Sequence, residues 1–517
     1  MKDVKVIPGE EVITQHKLVV CDLNIKPERE VKTPYIPRLK VWKLKDPDIR
    51  SDFMLAVTEK STDCRSNDVE VGWFKLKELL LKSTEKVCGW TKARPQRTTT
   101  WWWNSEVDKT IKQKRHLWKE WKQGRCSKEK YLEAKRSAKK SVYSAQTKAA
   151  TEQFGNLSTK SSQNNAFRVA KQMKKASSDV IGDTCVKNDD GTLVFGDDEK
   201  LKAWKQHYER LLNVEFPWES DNLDMGSPKE GPVPLIKKSA VEEALKKMKD
   251  GKAPGFSGVV FEMLNASGDT GLILFTELLN NIIKEEKVPG DWEKSIIINL
   301  FKGKGDAVER GNFRGLKLLE HLMKVFEKVI ESHIRDVINI DDMQFGFMPG
   351  KGTMDAVFMV RQVQERFLDK RKDLFFTFVD LEKAFDRVPR LVVKWALRRL
   401  GVDEWIIRVV MAMYENAESA VNINGTIGDV FPVKVGVHQG SVLSLLLFII
   451  VLEALSREFR TGLPWELLYA DDLVLMAESF EELETKFLKW KTGMEQKGLC
   501  VNADKTKVMV ARYDSEP

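Results

Sequence analysis

The spacing of apolar and polar positions differs between the two halves of this chain. Residues 66–216 are rich in good helix formers, as in SEVDKTIKQKRHLWKEWKQ, which predicts a mostly helical region. A short hairpin is predicted around Asp190 and Gly191, with an amphipathic helix after it. Before this region, alternation in HKLVVCDL predicts a strand within the first 23 residues, and the Pro- and Lys-rich residues 24–52 predict an irregular arm.

A Pro- and Gly-rich stretch at residues 216–235 predicts a boundary, and a mixed pattern follows it. SAVEEALKKMKDG predicts a helix closed by a glycine. LFFTFVD, ending at Asp380, predicts a strand, SVLSLLLFIIVLEALSREF predicts a buried helix, and ELLYADDLVLMAES predicts two strands joined by an acidic turn. The predicted fold class is therefore α+β, with an antiparallel sheet backed by helices.

Composition excludes several classes of protein. The six cysteines are scattered without a C-x-x-C pair, which argues against a zinc knuckle and a disulfide framework. The N-terminus lacks the apolar core of a secretion signal. The longest apolar run, Leu445 to Leu452, is far shorter than the roughly 20 residues of a membrane span. An intracellular protein of the nucleus, the cytoplasm or both is predicted.

Positive charge is concentrated in one segment. Residues 101–150 carry 14 Lys or Arg against 5 Asp or Glu, whereas the whole chain has a net charge of +8. Such a stretch favours a polyanionic partner such as nucleic acid, and a solvated helix face is the alternative interpretation.

Carboxylates at strand ends are the candidate chemistry. Phosphoryl transfer depends on positioned charge, and Mg²⁺ prefers hard oxygen ligands, so carboxylates converging from neighbouring strands are the expected signature. Asp380 ends one apolar strand, and Asp471 and Asp472 lie between two others. Taken alone, an Asp-Asp pair in a hairpin is more often ordinary turn chemistry.

The order of the blocks changes this interpretation. Seven blocks follow one another across residues 236–510. They are KAPGFSGVVFEML, WEKSIIINLFKGKGDAVERGNFRGLKLL, QFGFMPGKGTMDAVFMV, DLFFTFVDLEKAFDRVPR, GVHQGSVLSLLLFIIVLEAL, ELLYADDLVLMAES and GLCVNADKTKVMV. They resemble the successive motifs of reverse transcriptases, most closely those of non-LTR (LINE-type) retrotransposons. The resemblance implies a right-hand polymerase, with fingers at residues 236–375 and palm at residues 376–517, the thumb missing.

The N-terminal part resembles other pieces of such elements. Residues 1–23 resemble the last strands of an endonuclease/exonuclease/phosphatase-type domain, with His16 at the position of its catalytic histidine. Since the metal-binding acids of that domain are absent, no endonuclease activity is expected. Residues 24–235 resemble the linker region, expected to be mostly helical, basic and in contact with nucleic acid.

The resemblance also implies a role for individual residues. Asp380, Asp471 and Asp472, with the backbone carbonyl of Leu381, would bind two Mg²⁺ ions, with Mn²⁺ as an alternative, and Lys505 would protonate the leaving pyrophosphate. Deoxynucleotide contacts would come from Lys302, Lys304, Arg314, Leu381, Phe385, Gln439 and Gly440, the Phe385 ring excluding a 2′-hydroxyl. Nucleic-acid contacts would come from Gly346, Pro349, Gly350, Lys351 and Tyr469.

Three positions depart from the family pattern. Ser257 replaces a usual Asp, Phe313 replaces a usual Tyr, and Leu445 replaces a usual Pro. None of the three is an implied metal ligand.

The resemblance implies an RNA-directed DNA polymerase that adds dNTPs to a 3′-hydroxyl, with an RNA template and a DNA primer or target as partners and no membrane. The alternative is an inactive truncated relic that binds nucleic acid without polymerising. An RNA-dependent RNA polymerase would use the same palm, but Phe385 and the Tyr-Ala-Asp-Asp turn argue against it. The sequence specifies neither the template RNA nor the insertion site, and it leaves the oligomeric state open.

Overall fold

The computed structural model describes residues 3–13, 16–22, 37–91, 102–154 and 185–513. The chain divides into two compact units, Met1–Leu39 with Trp90–Ala149 and Lys40–Gly89 with Ala150–Pro517. Part of the predicted irregular arm, residues 23–36, lies outside the described residues.

Both units contain helices. In chain order they are α1 (Pro47–Glu59), α2 (Val69–Cys88), α3 (Ser105–Lys122), α4 (Lys128–Phe154), α5 (Asp197–Leu211), α6 (Lys238–Lys246), α7 (Phe261–Ala266), α8 (Gly268–Glu285), α9 (His321–Val337), α10 (Thr353–Asp369), α11 (Ala384–Arg387), α12 (Arg390–Arg399), α13 (Glu404–Glu415), α14 (Leu443–Ser456) and α15 (Phe480–Glu495).

The strands form separate small sheets. They are β1 (Asp3–Ile13), β2 (His16–Asp22), β3 (Val186–Lys187), β4 (Leu193–Val194), β5 (Lys294–Phe301), β6 (Phe313–Leu318), β7 (Leu374–Asp380), β8 (Glu418–Ile423), β9 (Thr426–Ile427), β10 (Phe431–Pro432), β11 (Glu466–Tyr469), β12 (Asp472–Ala477) and β13 (Lys507–Ala511). β3 and β4 pair on either side of Asp190 and Gly191, so the predicted hairpin is confirmed.

The first unit contains the β1–β2 hairpin, the helix α3 and most of α4. β1 and β2 pair antiparallel, with Ile13 opposite His16 at the turn end. The side chain of Asn104 accepts a hydrogen bond from the Val107 N–H and so caps α3. The Trp121 ring stacks on the Tyr131 ring, with centroids 5.4 Å apart, across the turn between α3 and α4. The helices predicted in the basic segment are confirmed.

The second unit begins with α1 and α2, which pack against α8. The predicted irregular arm ends earlier than expected. Pro47 opens α1, and the side chain of Asp46 accepts from the Asp48 N–H, so the proline marks a helix start rather than a linker. The Trp73 indole and the Lys77 ammonium of α2 both donate to Asp291, at 2.9 and 2.6 Å.

A five-stranded sheet joins segments that are far apart in sequence. Its main path runs β10-β8-β5-β6, and β9 pairs with β8. β8 lies parallel to β5, and β6 lies antiparallel to it. Helix α5 covers this sheet with buried Trp204 and Tyr208, which join a core that includes Val421 and Phe431. β8 and β10 therefore belong to the same sheet as β5 and β6, although they fall in the stretch expected to form the palm.

The second sheet is antiparallel, with the order β11-β12-β7-β13. Helix α14 is buried at every position except Leu445, as its apolar sequence predicts, and it packs against α12, α9 and α15. At 14 residues it is too short to cross a bilayer, and none of the described helices is long and apolar enough to do so. The predicted α+β class, an antiparallel sheet backed by helices, is confirmed.

Candidate functional site

Three carboxylate-bearing residues meet at one edge of the antiparallel sheet. Asp472 at the start of β12 is the direct cross-strand partner of Asp380 at the end of β7. Asp471 precedes it in the turn that β11 and β12 close by pairing Tyr469 with Asp472. Ala470 makes this tight turn with a left-handed φ of 57°. Strand register therefore joins segments that are far apart along the chain.

The carboxylate of Asp380 is held by a lysine. Lys505 Nζ lies 3.2 Å from Asp380 Oδ2, and the Asp380 backbone carbonyl accepts from the Asn502 N–H at 2.8 Å. Among the residues the structure describes, no three His, Cys, Asp or Glu side chains are arranged to hold a metal ion. The Asp380 carboxylate instead pairs with Lys505 through Oδ2.

Burial and neighbouring negative charge raise the pKa values of Asp471 and Asp472. Burial raises the pKa of Asp471, with the charge of Asp380 adding to it. Burial also raises the pKa of Asp472, followed by the charges of Asp471 and Asp380. Such repulsion between close carboxylates is relieved by a cation. Hard oxygen donors with excess negative charge are a donor set that suits a divalent metal such as Mg²⁺.

Basic side chains face these carboxylates. The charges of Arg314 and Lys505 counteract the raised pKa of Asp471. The pKa of Lys302 is lowered by burial and then by Lys505, Arg314 and Lys383, so these four cations lie close enough to repel one another. Lys302 Nζ donates to the Gly311 carbonyl at 2.8 Å, which ties β5 to the loop before β6. Clustered cations of this kind form an anion site.

Lys304 lies in the loop between β5 and β6, between Gly303 and Gly305, which both have positive φ. Its side chain is exposed. The two left-handed glycines bend the chain on either side of Lys304, in the same β5–β6 loop that holds Lys302.

The aromatic residue after the first aspartate is half-buried. The centroid of the Phe385 ring lies 4.5 Å from that of Phe448 on the buried helix α14. The Phe385 carbonyl accepts from the Val437 N–H at 2.8 Å. Phe448 thus supports one side of the Phe385 ring. Leu381, which directly follows Asp380, is buried at 6% exposure and forms a β-bridge with Val501.

The loop with Gln439 and Gly440 is packed against β6. The Gln439 carbonyl accepts from the Lys317 N–H at 2.7 Å. Gly440 has a φ of 118°, and a Cβ there would lie 2.4 Å from the Lys317 carbonyl oxygen. Only glycine fits this position.

The segment expected to contact nucleic acid lies against the acidic turn. A Cβ on Gly346 would lie 2.3 Å from the Ala470 amide nitrogen. The Tyr469 hydroxyl accepts from the Thr353 hydroxyl at 2.7 Å. Lys351 instead folds back on its own loop, with Nζ 3.0 Å from Asp342 Oδ1, while Pro349 and Gly350 are exposed at the loop tip. The structure joins Gly346 and Tyr469 to the acidic turn and holds Lys351 by its own loop.

The positions that depart from the family pattern have local explanations. The Ser257 N–H and hydroxyl both donate to the carboxylate of Glu320 at 2.6 Å, so an Asp at 257 would face another carboxylate. Phe313 packs against Trp204 and Phe301, an apolar environment that needs no hydroxyl. The start of α14 is capped without a proline, since Ser441 Oγ accepts from the Leu443 and Ser444 N–H groups.

Four residues of this site were not singled out from the sequence. Lys383 joins the basic cluster, Gln344 supports the acidic turn, and Asp386 and Lys317 hold Gln439. Asp386 lies in the same DLEKAFD block as Phe385, so its motif was a signal. The other three also lie in the quoted blocks, but their roles depend on contacts between distant segments.

An antiparallel sheet with three aspartates at adjoining strand ends, faced by a basic cluster, is the arrangement expected of a right-hand polymerase palm. Residues 302–515 match the family model described as Reverse transcriptase (RNA-dependent DNA polymerase). Residues 302–515 are thus similar to reverse transcriptases, a family that uses divalent metal ions, and the similarity includes those of retrotransposable elements.

Curated relatives come from transposable elements. A Xenopus laevis protein, the transposon TX1 uncharacterized 149 kDa protein, is 27% identical over 339 residues, 62% of this chain and 26% of that protein. The probable RNA-directed DNA polymerase from transposon BS of Drosophila melanogaster is 24% identical, over 56% of this chain and 34% of its own length. The RNA-directed DNA polymerase from mobile element jockey of Drosophila funebris is 26% identical, over 63% and 37%. The chain therefore spans about a quarter to a third of these relatives.

Among solved structures, apo telomerase from Candida tropicalis, truncated from its C-terminal domain, matches with a TM-score of 0.34 at 16% identity. The match covers 50% of this chain and 62% of that one.

Proposed function

We propose that this chain is an RNA-directed DNA polymerase that adds dNTPs to the 3′-hydroxyl of a primer and releases pyrophosphate. The observation that carries the proposal is the cross-strand pairing of Asp380 with Asp472, beside Asp471 and opposite the basic cluster. Such a reaction needs positioned charge more than covalent chemistry from the protein.

Asp380, Asp471 and Asp472 would hold two Mg²⁺ ions, or Mn²⁺ as the alternative, with the Leu381 carbonyl as a further ligand. Two divalent ions held there would activate the attacking oxygen and stabilise the leaving one. The ion pair that Lys505 makes with Oδ2 of Asp380 would then open if both carboxylate oxygens served as ligands. The released ammonium is free to donate a proton to the pyrophosphate, the role proposed for Lys505.

The incoming dNTP would lie between the carboxylates and the basic cluster. Arg314 is suited to bind phosphate oxygens in pairs through its planar fork, and Lys302 and Lys304 add positive charge. The Phe385 ring, braced by Phe448, would meet a 2′-hydroxyl and so favour deoxynucleotides. Gln439 and Gly440 would lie beside the nucleotide.

The RNA template and the DNA primer or target are the proposed macromolecular partners. Gly346, Pro349, Gly350, Lys351 and Tyr469 would contact the template strand, and the basic helices of the first unit would add sequence-independent contacts to phosphates. The proposed place of action is inside the cell, in the nucleus, the cytoplasm or both. We propose residues 1–23 as an endonuclease remnant and residues 24–235 as a helical basic linker region. Residues 236–375 would form the fingers, and residues 376–517 the palm.

The second candidate function is nucleic-acid binding without polymerisation. The basic segment at residues 101–150 favours binding by itself, and the ion pair between Lys505 and Asp380 is compatible with a site that is not engaged in chemistry.

Primer extension on an RNA template with Mg²⁺ separates the two functions. We expect the wild type to extend and Asp471→Ala to lose at least about 10²–10³-fold in rate, as removal of one electrostatic stabiliser does. Asp429→Ala is the matched control, because Asp429 is an exposed aspartate near Lys205, away from the acidic turn. A wild type that binds the primer–template and does not extend it would support the binding function instead.

A further inference from the structure

Gln439 is held from two sides by residues outside the proposed catalytic and nucleotide-binding set. Its backbone carbonyl accepts from the Lys317 N–H at 2.7 Å, and its side-chain Nε2 donates to Asp386 Oδ1 at 2.8 Å. Both contacts come from other segments, β6 and α11. Gln439 is therefore fixed at its backbone and at its side-chain amide.

The contact with Asp386 decides which way the amide faces. An ionised carboxylate has only acceptor oxygens, whereas the amide has a donor NH₂ and an acceptor oxygen. The NH₂ group must therefore face Asp386, and the oxygen must face away from it. Without such a neighbour, the two orientations of a glutamine amide differ little in energy.

The backbone leaves little room for a different arrangement. Gly436 has a φ of 78°, and a Cβ there would lie 2.3 Å from the Asp386 carbonyl oxygen. The Val437 N–H donates to the Phe385 carbonyl at 2.8 Å. The segment of Asp386 and the loop of Gln439 are thus in direct backbone contact along several residues.

Positive charges around Asp386 favour its ionised form, which accepts hydrogen bonds. Burial raises the pKa of Asp386, and Lys317, Lys383 and Lys302 oppose that rise. Lys317 is itself buried at 3% exposure, and burial lowers its pKa while Asp386 opposes the fall. Each charge of this buried pair stabilises the other.

We propose that Asp386 is a positioning residue that orients the Gln439 amide and through it sets the affinity of the site for the incoming dNTP. This inference rests on the proposed function, because Gln439 contacts a nucleotide only in a polymerase site. Asp386 would act through Gln439 and would not touch the nucleotide itself.

A double-mutant cycle tests the inference. We would measure dNTP affinity by titration, without turnover, on a complex of the full chain with an RNA template and a primer lacking a 3′-hydroxyl. Gln439→Ala and Asp386→Ala should each weaken dNTP binding about tenfold or more, as loss of a hydrogen bond to a charged group does. The double variant should bind no more weakly than Gln439→Ala, because the two residues act as one unit. Additive losses, or an unchanged affinity in Asp386→Ala, would overturn the inference.

A conservative variant, Asp386→Asn, separates loss of the hydrogen bond from general loss of structure. Asp386→Asn keeps an acceptor oxygen and nearly the same volume, so its affinity should fall between those of wild type and Asp386→Ala. If Asn and Ala weaken binding equally, the hydrogen bond is not what matters and the inference fails. If Asp386→Ala does not fold, the cycle is run with Asp386→Asn.

A matched control and a separate readout keep this test apart from the proposed function. Glu404→Gln changes another buried carboxylate, which pairs with Arg398 on α12 and should leave dNTP affinity unchanged. Failure of the wild type to extend a primer would refute the polymerase function. The affinity pattern decides the role of Asp386 by itself, since it is measured without extension.

Discussion

Glu320 is a buried carboxylate whose partner is a residue that departs from the family pattern. Both of its oxygens accept from Ser257, and burial raises the pKa of Glu320 to about 7. The hydroxyl and N–H of Ser257 partly counteract that rise. Because residue 257 is Ser and not Asp, no second negative charge lies beside the buried Glu320 carboxylate.

The first prediction concerns the pH dependence of stability. Because the folded pKa of Glu320 lies above its ordinary value of 4.5, the folded state keeps the proton longer than the unfolded state. Stability from this group is therefore full below about pH 4.5 and is lost as pH rises through about 7. Glu320→Gln should reduce the loss of unfolding free energy between about pH 5 and about pH 8 by up to about 3 kcal/mol.

Chemical denaturation of wild type and variant across these pH values measures the difference. In Ser257→Asp the unfolding free energy should fall more steeply with rising pH than in the wild type, because the variant adds a like charge beside Glu320. Parallel curves for wild type and Glu320→Gln would contradict the prediction.

The second prediction concerns the choice of sugar. Phe385→Val removes a ring that packs on Phe448, so ribonucleotide incorporation relative to deoxynucleotide should rise at least about tenfold. Competitive incorporation of a matched rNTP and dNTP measures the ratio. Phe480→Val, at a half-exposed ring on α15, should leave the ratio unchanged. A ratio that stays the same in both variants would reject the steric role of Phe385.

Between elements, the acidic turn is supported by a segment that adds to the sheet edge. The Phe345 N–H donates to the Leu468 carbonyl, and the Leu468 N–H donates to the Met343 carbonyl, both at 2.8 Å. Gln344 is buried, and its Oε1 accepts from the N–H groups of Gly346 and Ala470 at 2.9 and 3.1 Å. The left-handed turn at Ala470 is therefore stabilised from outside its own hairpin.

The third prediction tests this support. Gly346→Ala would place a Cβ 2.3 Å from the Ala470 amide nitrogen, so the turn must move. A displacement of about 1 Å in a catalytic group can cost about 10²-fold in rate, and primer extension should fall by that order.

Gly352→Ala is the control within the same segment, because its Cβ would come no closer than 3.4 Å to a neighbouring atom. It should extend primers at the wild-type rate. Thermal unfolding of both variants checks that they are folded, and wild-type activity in Gly346→Ala would refute the coupling of this segment to the turn.

The whole molecule is nearly neutral outside one basic segment, and that segment is helical. Exposed lysines occur along both α3 and α4, including Lys109, Lys119, Lys135 and Lys139. An excess of positive charge on a helical surface suits contact with a phosphate backbone, whose binding depends on salt through counterion release.

The fourth prediction concerns this salt dependence. Reversing Lys109, Lys119, Lys135 and Lys139 to Glu should flatten the plot of log affinity for single-stranded RNA against log salt, by about 0.7 for each phosphate that is no longer neutralised. The same four positions changed to Arg keep the charge and should keep the slope. If reversal leaves the slope unchanged, these helices are a solvated surface.

Much of the local structure followed from the sequence. The helices of the basic segment, the hairpin at Asp190, the buried helix α14 and the acidic turn were all predicted, and the structure confirms them. The start of α1 was not, because a proline indicates a linker or a first helical turn equally well until the Asp46 cap is seen. The contact of Asp386 with Gln439 joins residues 53 positions apart, a pairing that no local pattern indicates.

By itself the sequence determined which short segments form helices and strands, where the acidic side chains lie along the chain and in which order the motifs follow. The tertiary structure alone decided that Asp380 pairs across strands with Asp472, that β8 and β10 join the sheet of β5 and β6, and that Lys317 is buried beside Asp386. The physical reason is that periodicity and propensity act within one element, whereas strand register and buried charge pairing depend on which distant segments pack together.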